Sequence, residues 1–131
     1  MTALSDEQRR FLAEPRYGVA TTLRADGSPH STVVWVDVDD DGVPSFNTAR
    51  GRAKPANLEA DPRVSLLVVA EGDFYRWLSL DGRVEVVTEG AHEQIDRLSR
   101  KYDGKPWSYR DGEERVTVRI LPERVTAYGL A

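Results

Sequence analysis

Residues 22–42 read TLRADGSPHSTVVWVDVDDDG, and the fold turns on how this stretch is parsed. Ala25-Asp26-Gly27-Ser28 has turn chemistry, because Asp side chains bond to nearby backbone amides and Gly tolerates left-handed backbone. Before it, YGVATTL from Tyr17 is rich in Val and Thr, as strands are. After it, His30 to Val38 (HSTVVWVDV) reads as a second strand, and Asp39-Asp40-Asp41-Gly42 closes a hairpin onto Val43 to Thr48. Two hairpins in succession point to antiparallel β structure.

The flanking segments extend this pattern. Ser5-Asp6-Glu7-Gln8 fits a capping box, predicting a helix from about residue 6 to Ala13 that ends before Pro15. Pro55 to Ala60 reads as a short helix stopped by Asp61-Pro62. Val64 to Ala70 is a nearly continuous apolar run, expected of a strand buried on both faces. Phe74 to Thr88 reads as one long strand or a pair kinked at Asp81-Gly82. Thr88 is positioned to cap a helix from Gly90 to Tyr102, with Ile95, Leu98 and Tyr102 on one face. Val116, Val118 and Ile120 alternate before Pro122, and Val125 to Tyr128 is strand-like again. Six or so strands with short helices predict a small, mostly antiparallel barrel in one domain over residues 1–131. A barrel this small fills its interior with side chains, so a sizeable ligand is expected on its wall or at a subunit interface.

Composition narrows the function. With 22 acidic against 18 basic residues and a net charge of −4, the chain lacks the basic balance of a general nucleic-acid binder. No apolar run approaches the roughly 20 residues that cross a bilayer. MTALSDEQRRFL has acidic residues and no apolar stretch, so it does not read as a secretion signal. Cysteine is absent, which excludes disulfides and Cys-ligated metals and fits a cytoplasmic protein.

On this acidic background NTARGRAKPANL, residues 47–58, is a local basic cluster. If the segment is extended, Arg50, Arg52 and Lys54 project to one side and converge on one anion. Arg offers a planar fork to phosphate oxygens, Lys a mobile point charge, and a helix starting near Pro55 would aim its amides at the same place. Asn57 is placed to donate from the first turn. On spacing alone, a solvated loop paired with Glu59 and Asp61 stands beside this cradle. Ser31 and Thr32 form a polar entry to an apolar wall containing Trp35, suited to a flat heteroaromatic ligand, although an ordinary hairpin has the same pattern. Trp77 reads as a pocket wall or as an interface residue. Of the two histidines, His92 reads as solvated, and His30 cannot form a triad with Ser31 because adjacent strand residues point to opposite faces. No metal-ligand pattern, Walker loop or dinucleotide fingerprint is present. An enzyme with this sequence would rely on a bound cofactor.

The succession TTLRADGSPHSTVVWV, NTARGRAKPANLEADPRVSLLV and RWLSLDGRVEVV resembles the pyridoxamine 5′-phosphate oxidase-like split β-barrel superfamily. Within it, the sequence is most similar to the flavin/deazaflavin oxidoreductases of actinobacteria that use coenzyme F420. The resemblance runs from about residue 5 to Tyr128. It is most specific at Arg52-Ala53-Lys54, Asn57-Leu58 and Asp61-Pro62-Arg63, and next at WLSLDGR. It implies a six-stranded split barrel and a homodimer with two cofactor sites along the subunit interface. It implies coenzyme F420, with FMN as the alternative, its phosphate held by Arg52 and Lys54 beside Ala53 and Asn57. The ring would run beside Pro29, His30, Thr32 and Val33, and Trp77 would approach from the partner subunit. Arg50 has no assigned counterpart and would face the acidic tail of a deazaflavin or solvent. Hydride transfer between the deazaflavin and a small unsaturated substrate follows, with Ser31, Thr32 and Thr48 as possible hydrogen-bond donors.

Overall fold

Ser5 caps the first helix as its sequence predicts: its hydroxyl accepts from the Gln8 amide at 3.1 Å while the Gln8 side chain accepts from the Ser5 amide at 2.9 Å. In the computed structural model, which describes residues 2–131, the elements run α1 (Asp6–Ala13), β1 (Tyr17–Leu23), β2 (Pro29–Trp35), β3 (Asp37–Val38), β4 (Pro44–Ala49), α2 (Ala53–Ala60), β5 (Arg63–Ala70), β6 (Asp73–Val87), α3 (Ala91–Asp103) and β7 (Arg115–Tyr128). No helix among the described residues is long and apolar enough to cross a membrane.

The strands form a single antiparallel sheet in the order β2-β1-β5-β6-β7-β4-β3. β2 and β3 are separated by Val36 alone, yet they lie at opposite ends of that order. The sheet therefore curls until its ends meet, and β2 comes beside β4 without a hydrogen-bonded ladder between them. This is a split barrel, and the split exposes the outer edge of β2.

The expected strand His30 to Val38 is thus broken at Val36, where the chain leaves one end of the sheet for the other. This break adds a strand, while β7 removes one by running through Pro122 without interruption. Pro122 is tolerated because it sits at a bulge: the β6–β7 register slips between Asp81↔Arg124 and Gly82↔Pro122, so no ladder donor is required there. Seven strands result.

The interior is filled by Phe11 and Leu12 of α1, Phe46, Leu58, Leu66, Val68, Leu78, Leu80, Val118 and Ile120, all buried. Each such side chain contributes about 1.5–3 kcal/mol when taken fully out of water. β5 departs from the both-faces-buried expectation. Leu66 and Val68 point inward, but Leu67 on the outer face is 39% exposed. Among the described residues no layer covers that face, where Val33, Val19 and Leu67 form one cross-sheet row and Trp77 lies beside Tyr128. Phe74 and Tyr75, at the start of β6, are 81% and 76% exposed.

α3 packs on the outer side of β4 and β7. Thr88 does not cap it: Gly90 takes the cap position in left-handed backbone (φ 80°), and only the Thr88 carbonyl participates, accepting from Ala91. The buried Gln94 is the hub of this contact. It donates to Ser45 at 2.9 Å and Asp37 at 3.2 Å, and it accepts from Asn47 at 2.9 Å and Thr117 at 2.8 Å.

Candidate functional site

A cavity of about 250 Å³ opens in the split between β2 and β4. One end is apolar and aromatic, formed by Tyr17, Val33, Val34, Trp35, Ile95, Leu98 and Trp107. The other end is polar, formed by Asn47, Arg52, Lys54 and Arg115. A ligand with a flat ring and an anionic tail matches this division.

The aromatic end is built from three elements. Trp35 of β2 stacks on Tyr102 of α3 (centroids 5.3 Å apart, planes within 5°), and Trp107 meets Trp35 edge-on at 6.1 Å. Trp107 comes from the connection after α3, where its amide donates to Asp96 and its indole N–H to Glu113, each at 3.0 Å. The Tyr102 hydroxyl accepts from the Val36 amide at 2.9 Å and donates to the Arg16 carbonyl. Lys101 adds bonds to the carbonyls of Leu12 (3.0 Å) and Val36 (2.8 Å). Together they fasten the end of α3 across the break between β2 and β3.

Burial pushes the Tyr102 phenol up to about 12. The protonated form is therefore favoured by folding. Its stabilisation is complete below pH 10.0 and is lost as pH rises through about 12. Tyr102→Phe is expected to cost about 1–3 kcal/mol at neutral pH, since it orphans two backbone groups. Urea titrations of both proteins should show this gap closing between pH 10.0 and about 12.

At the polar end the basic cluster divides. α2 begins at Ala53, two residues earlier than the sequence indicates, so the stretch turns into a helix before Lys54 and is not extended throughout. Arg50 turns away and pairs with Glu59 at 2.8 Å and Glu114 at 3.0 Å. For this residue, the solvated-loop alternative describes the structure, while Asp61 pairs with Arg63 instead. Arg52 and Lys54 line the cavity, and among the described residues neither has a side-chain hydrogen bond or a carboxylate partner within 4.0 Å. Half-burial pushes the Lys54 ammonium pKa down, and the neighbouring Arg52 charge lowers it further. The α2 N-terminus has no side-chain cap, so the amides of Ala53 and Lys54 add uncompensated donors. Two unpaired cations beside free helix amides fit a phosphate.

The remaining candidates fall in several places. Asn57 donates to Thr22 at 3.0 Å, tying α2 to β1, and does not line the cavity. Val33 lines it, whereas Pro29 and His30 lie farther along β2. Ser31 is on the outer face, 2.8 Å from the Thr21 hydroxyl, while His30 points inward, so the pair is indeed on opposite sides. Thr32 Oγ1, Thr48 Oγ1 and His30 Nδ1 are buried with no hydrogen-bond partner. None of these three residues lines the cavity, so their polar atoms face the barrel interior rather than the split. Trp77 does not line the cavity; it stacks on Tyr128 (6.2 Å, planes within 15°) on the uncovered outer face. His92 is exposed, its ring 5.1 Å from that of Tyr109.

Tyr17, Val34, Asn47, Trp107 and Arg115 line the cavity without standing out in the sequence as site residues, and Ile95 and Leu98 read there only as the apolar face of a helix. The pairing Ala49↔Arg115 brings Arg115 beside the start of α2, although locally it is one more polar residue in an alternating strand.

Comparison with known proteins bears on the family and the fold. The family model described as pyridoxamine 5′-phosphate oxidase matches residues 4–129. The F420H(2)-dependent biliverdin reductase of Mycobacterium tuberculosis (strain CDC 1551 / Oshkosh) is 33% identical over 125 residues, covering 95% of this chain and 88% of that protein. A solved structure titled F420 Reductase superposes with a TM-score of 0.81 at 27% identity, covering 94% of this chain and 98% of that one. The pyridoxine/pyridoxamine 5′-phosphate oxidase of Escherichia fergusonii is 26% identical over 97% of this chain, which spans only 54% of that enzyme's length. The split barrel, the basic start of α2 and the family match over nearly every residue lead to one assignment: the chain belongs to the pyridoxamine 5′-phosphate oxidase family.

Proposed function

We propose that this protein is a coenzyme F420-dependent reductase that transfers a hydride to a small, electron-poor unsaturated organic substrate. The observation that carries this reading is the two-ended cavity in the split, with unpaired Arg52 and Lys54 at one end and an aromatic wall at the other. Similarity to the biliverdin reductase and to the F420 reductase supports the deazaflavin. FMN is the alternative, supported by the oxidase relatives, since a basic cradle accepts either phosphate.

When bound, the reduced deazaflavin supplies the hydride. The chain's own residues bind, orient and exclude water. Arg52, Lys54 and the first amides of α2 hold the phosphate. The outer edge of β2 has no strand hydrogen-bonded to it among the described residues, which leaves edge donors and acceptors near Val33 and Val34 to bond the polar rim of the ring. Trp35 and Trp107 form a rigid wall that keeps the ring and substrate face to face.

We also propose a homodimer. About 250 Å³ is small for a pocket that must enclose most of a flat cofactor, which calls for roughly 300 Å³ or more. Tyr17 and Val33 line the cavity and also belong to the uncovered outer face with Val19 and Leu67. A second copy on that face would complete both the wall and the apolar burial. Light scattering at micromolar concentration should give twice the chain mass of 14.7 kDa, and a monomer would oppose this reading.

Activity is tested by mixing protein and reduced F420 anaerobically with a panel of enones, quinones and tetrapyrroles. Biliverdin comes first because the relative is named for it. Catalytic reoxidation with at least one acceptor is expected. Tight binding with no turnover on the whole panel would indicate a cofactor carrier.

A further inference from the structure

We propose that Arg115 is a third arm of the anion cradle, a buried guanidinium that bonds the cofactor phosphate directly. This rests on the reading that the cavity holds a phosphate-bearing cofactor. Arg115 is 2% exposed and lines the polar end of the cavity with Arg52 and Lys54. Its position is fixed on three sides. Nε donates to Asn47 Oδ1 at 2.8 Å, Nη1 reaches Glu113 at a long 3.4 Å, and the guanidinium lies 5.0 Å from the Trp107 ring centroid.

The plainer interpretation is a structural ion pair with Glu113. Three observations weigh against it. The Glu113 oxygen that Arg115 reaches already accepts the Trp107 indole N–H at the shorter distance of 3.0 Å. Nη2 has no protein acceptor among the described residues and is not one of the fully buried unpaired atoms, so it is open to the cavity. Finally, the polar end of the cavity is lined by three cations (Arg52, Lys54, Arg115) and, among the described residues, by no carboxylate. Burial lowers the Arg115 pKa, the Glu113 carboxylate opposes this, and the Arg52 charge lowers it further by a smaller amount, so the two guanidinium groups are close enough to repel. An anion between them would satisfy Nη2 and relieve the repulsion.

The Arg is also preset from outside the cavity. Asn47 donates to the Ala91 carbonyl (2.8 Å) and to Gln94 (2.9 Å), leaving its Oδ1 turned toward Arg115. The cradle therefore draws on the α2 N-terminus, β4 and β7, with α3 holding the β-strand part in place.

The test compares F420 with 8-hydroxy-5-deazariboflavin, which keeps the ring and lacks the phosphate and the acidic tail beyond it, and FMN with riboflavin, which differ in the phosphate alone. Affinities are measured by fluorescence for wild type, R115Q and E113Q/R115Q. The double variant removes both charges, so Glu113 is not left buried and unpaired, and melting curves identify which variants are folded. The expected result is a loss of about ten- to a hundredfold for the phosphate-bearing ligand of each pair with little change for its phosphate-free ring. Equal weakening for both ligands of a pair in a folded variant would make Arg115 structural and overturn the proposal. So would unchanged discrimination. If wild type itself binds both ligands of each pair equally, the phosphate-cradle reading fails, and the role of Arg115 fails with it.

Discussion

Replacing Arg52 and Lys54 together by alanine will weaken binding of a phosphate-bearing flavin or deazaflavin by at least about a hundredfold while leaving the fold intact. Each contributes charge-assisted hydrogen bonds worth about 1.5–3 kcal/mol in such a site, and two such losses multiply. The fold should survive because neither side chain has a protein partner to lose: Arg52 is exposed and Lys54 is only half-buried. Removing them should even relieve the mutual repulsion that contributes to the lowered Lys54 pKa. Cofactor titration and a thermal melt on the same sample measure both halves of the prediction. Arg50→Ala is the matching control. It breaks two partly exposed ion pairs, each worth about 1 kcal/mol at most, and should leave cofactor affinity within about threefold. Near-wild-type affinity in the double variant would remove the anion site from the start of α2.

The largest effect on stability is expected at Gly82. This residue faces Pro122 where the β6–β7 register slips, and the two chains cross so closely that an added Cβ would lie 2.2 Å from the Leu121 carbonyl oxygen. It would also lie 3.0 Å from the Leu121 carbonyl carbon and 3.1 Å from Pro122 Cα. These are backbone atoms in a ladder and cannot rotate away, unlike the end of a flexible side chain. Gly82→Ala should therefore open the bulge and cost about 3 kcal/mol or more, at or beyond the upper end of the range for overpacking. In a domain of this size that corresponds to a melting temperature lower by about 10 °C or more. Gly27→Ala separates this from the ordinary cost of replacing glycine. Its turn position has φ of +84° but open space around it, so about 1 kcal/mol is expected. A Gly82→Ala melt no lower than that of Gly27→Ala would mean the strands can part at the bulge without consequence.

These two sites show what the sequence makes legible. The Asp81-Gly82 pair marks a kink in a long strand, and the structure has one strand with a register slip there. Ser5 and Gln8 announce α1 because a capping box is local chemistry. Arg52 and Lys54 stand out because two cations and a helix start are adjacent in the chain.

What was not legible depends on distant partners. Arg50 looks like its neighbours until Glu114, 64 positions away, is folded beside it. Arg115 alternates as any solvent-facing strand residue would, and only the pairing with Ala49 and the packing of α3 enclose it. Trp107 comes from a connection with no periodicity, and its bonds to Asp96 and Glu113 give it a place in the wall. Val36 looks like mid-strand because Trp35 and Asp37 flank it with ordinary alternation. Barrel closure, a property of the whole sheet, requires the break there.

The most direct measurement is a titration of the purified protein with coenzyme F420 and with FMN, following tryptophan fluorescence in wild type and in W35F, W107F and W77F. The cavity in the split should bind F420 more tightly than FMN. Quenching should be reduced in W35F and W107F, whose indoles line the cavity, and any loss in W77F reports the second copy that covers the outer face. Binding of neither cofactor, or quenching left unchanged in both W35F and W107F, would contradict the placement of the cofactor in the split.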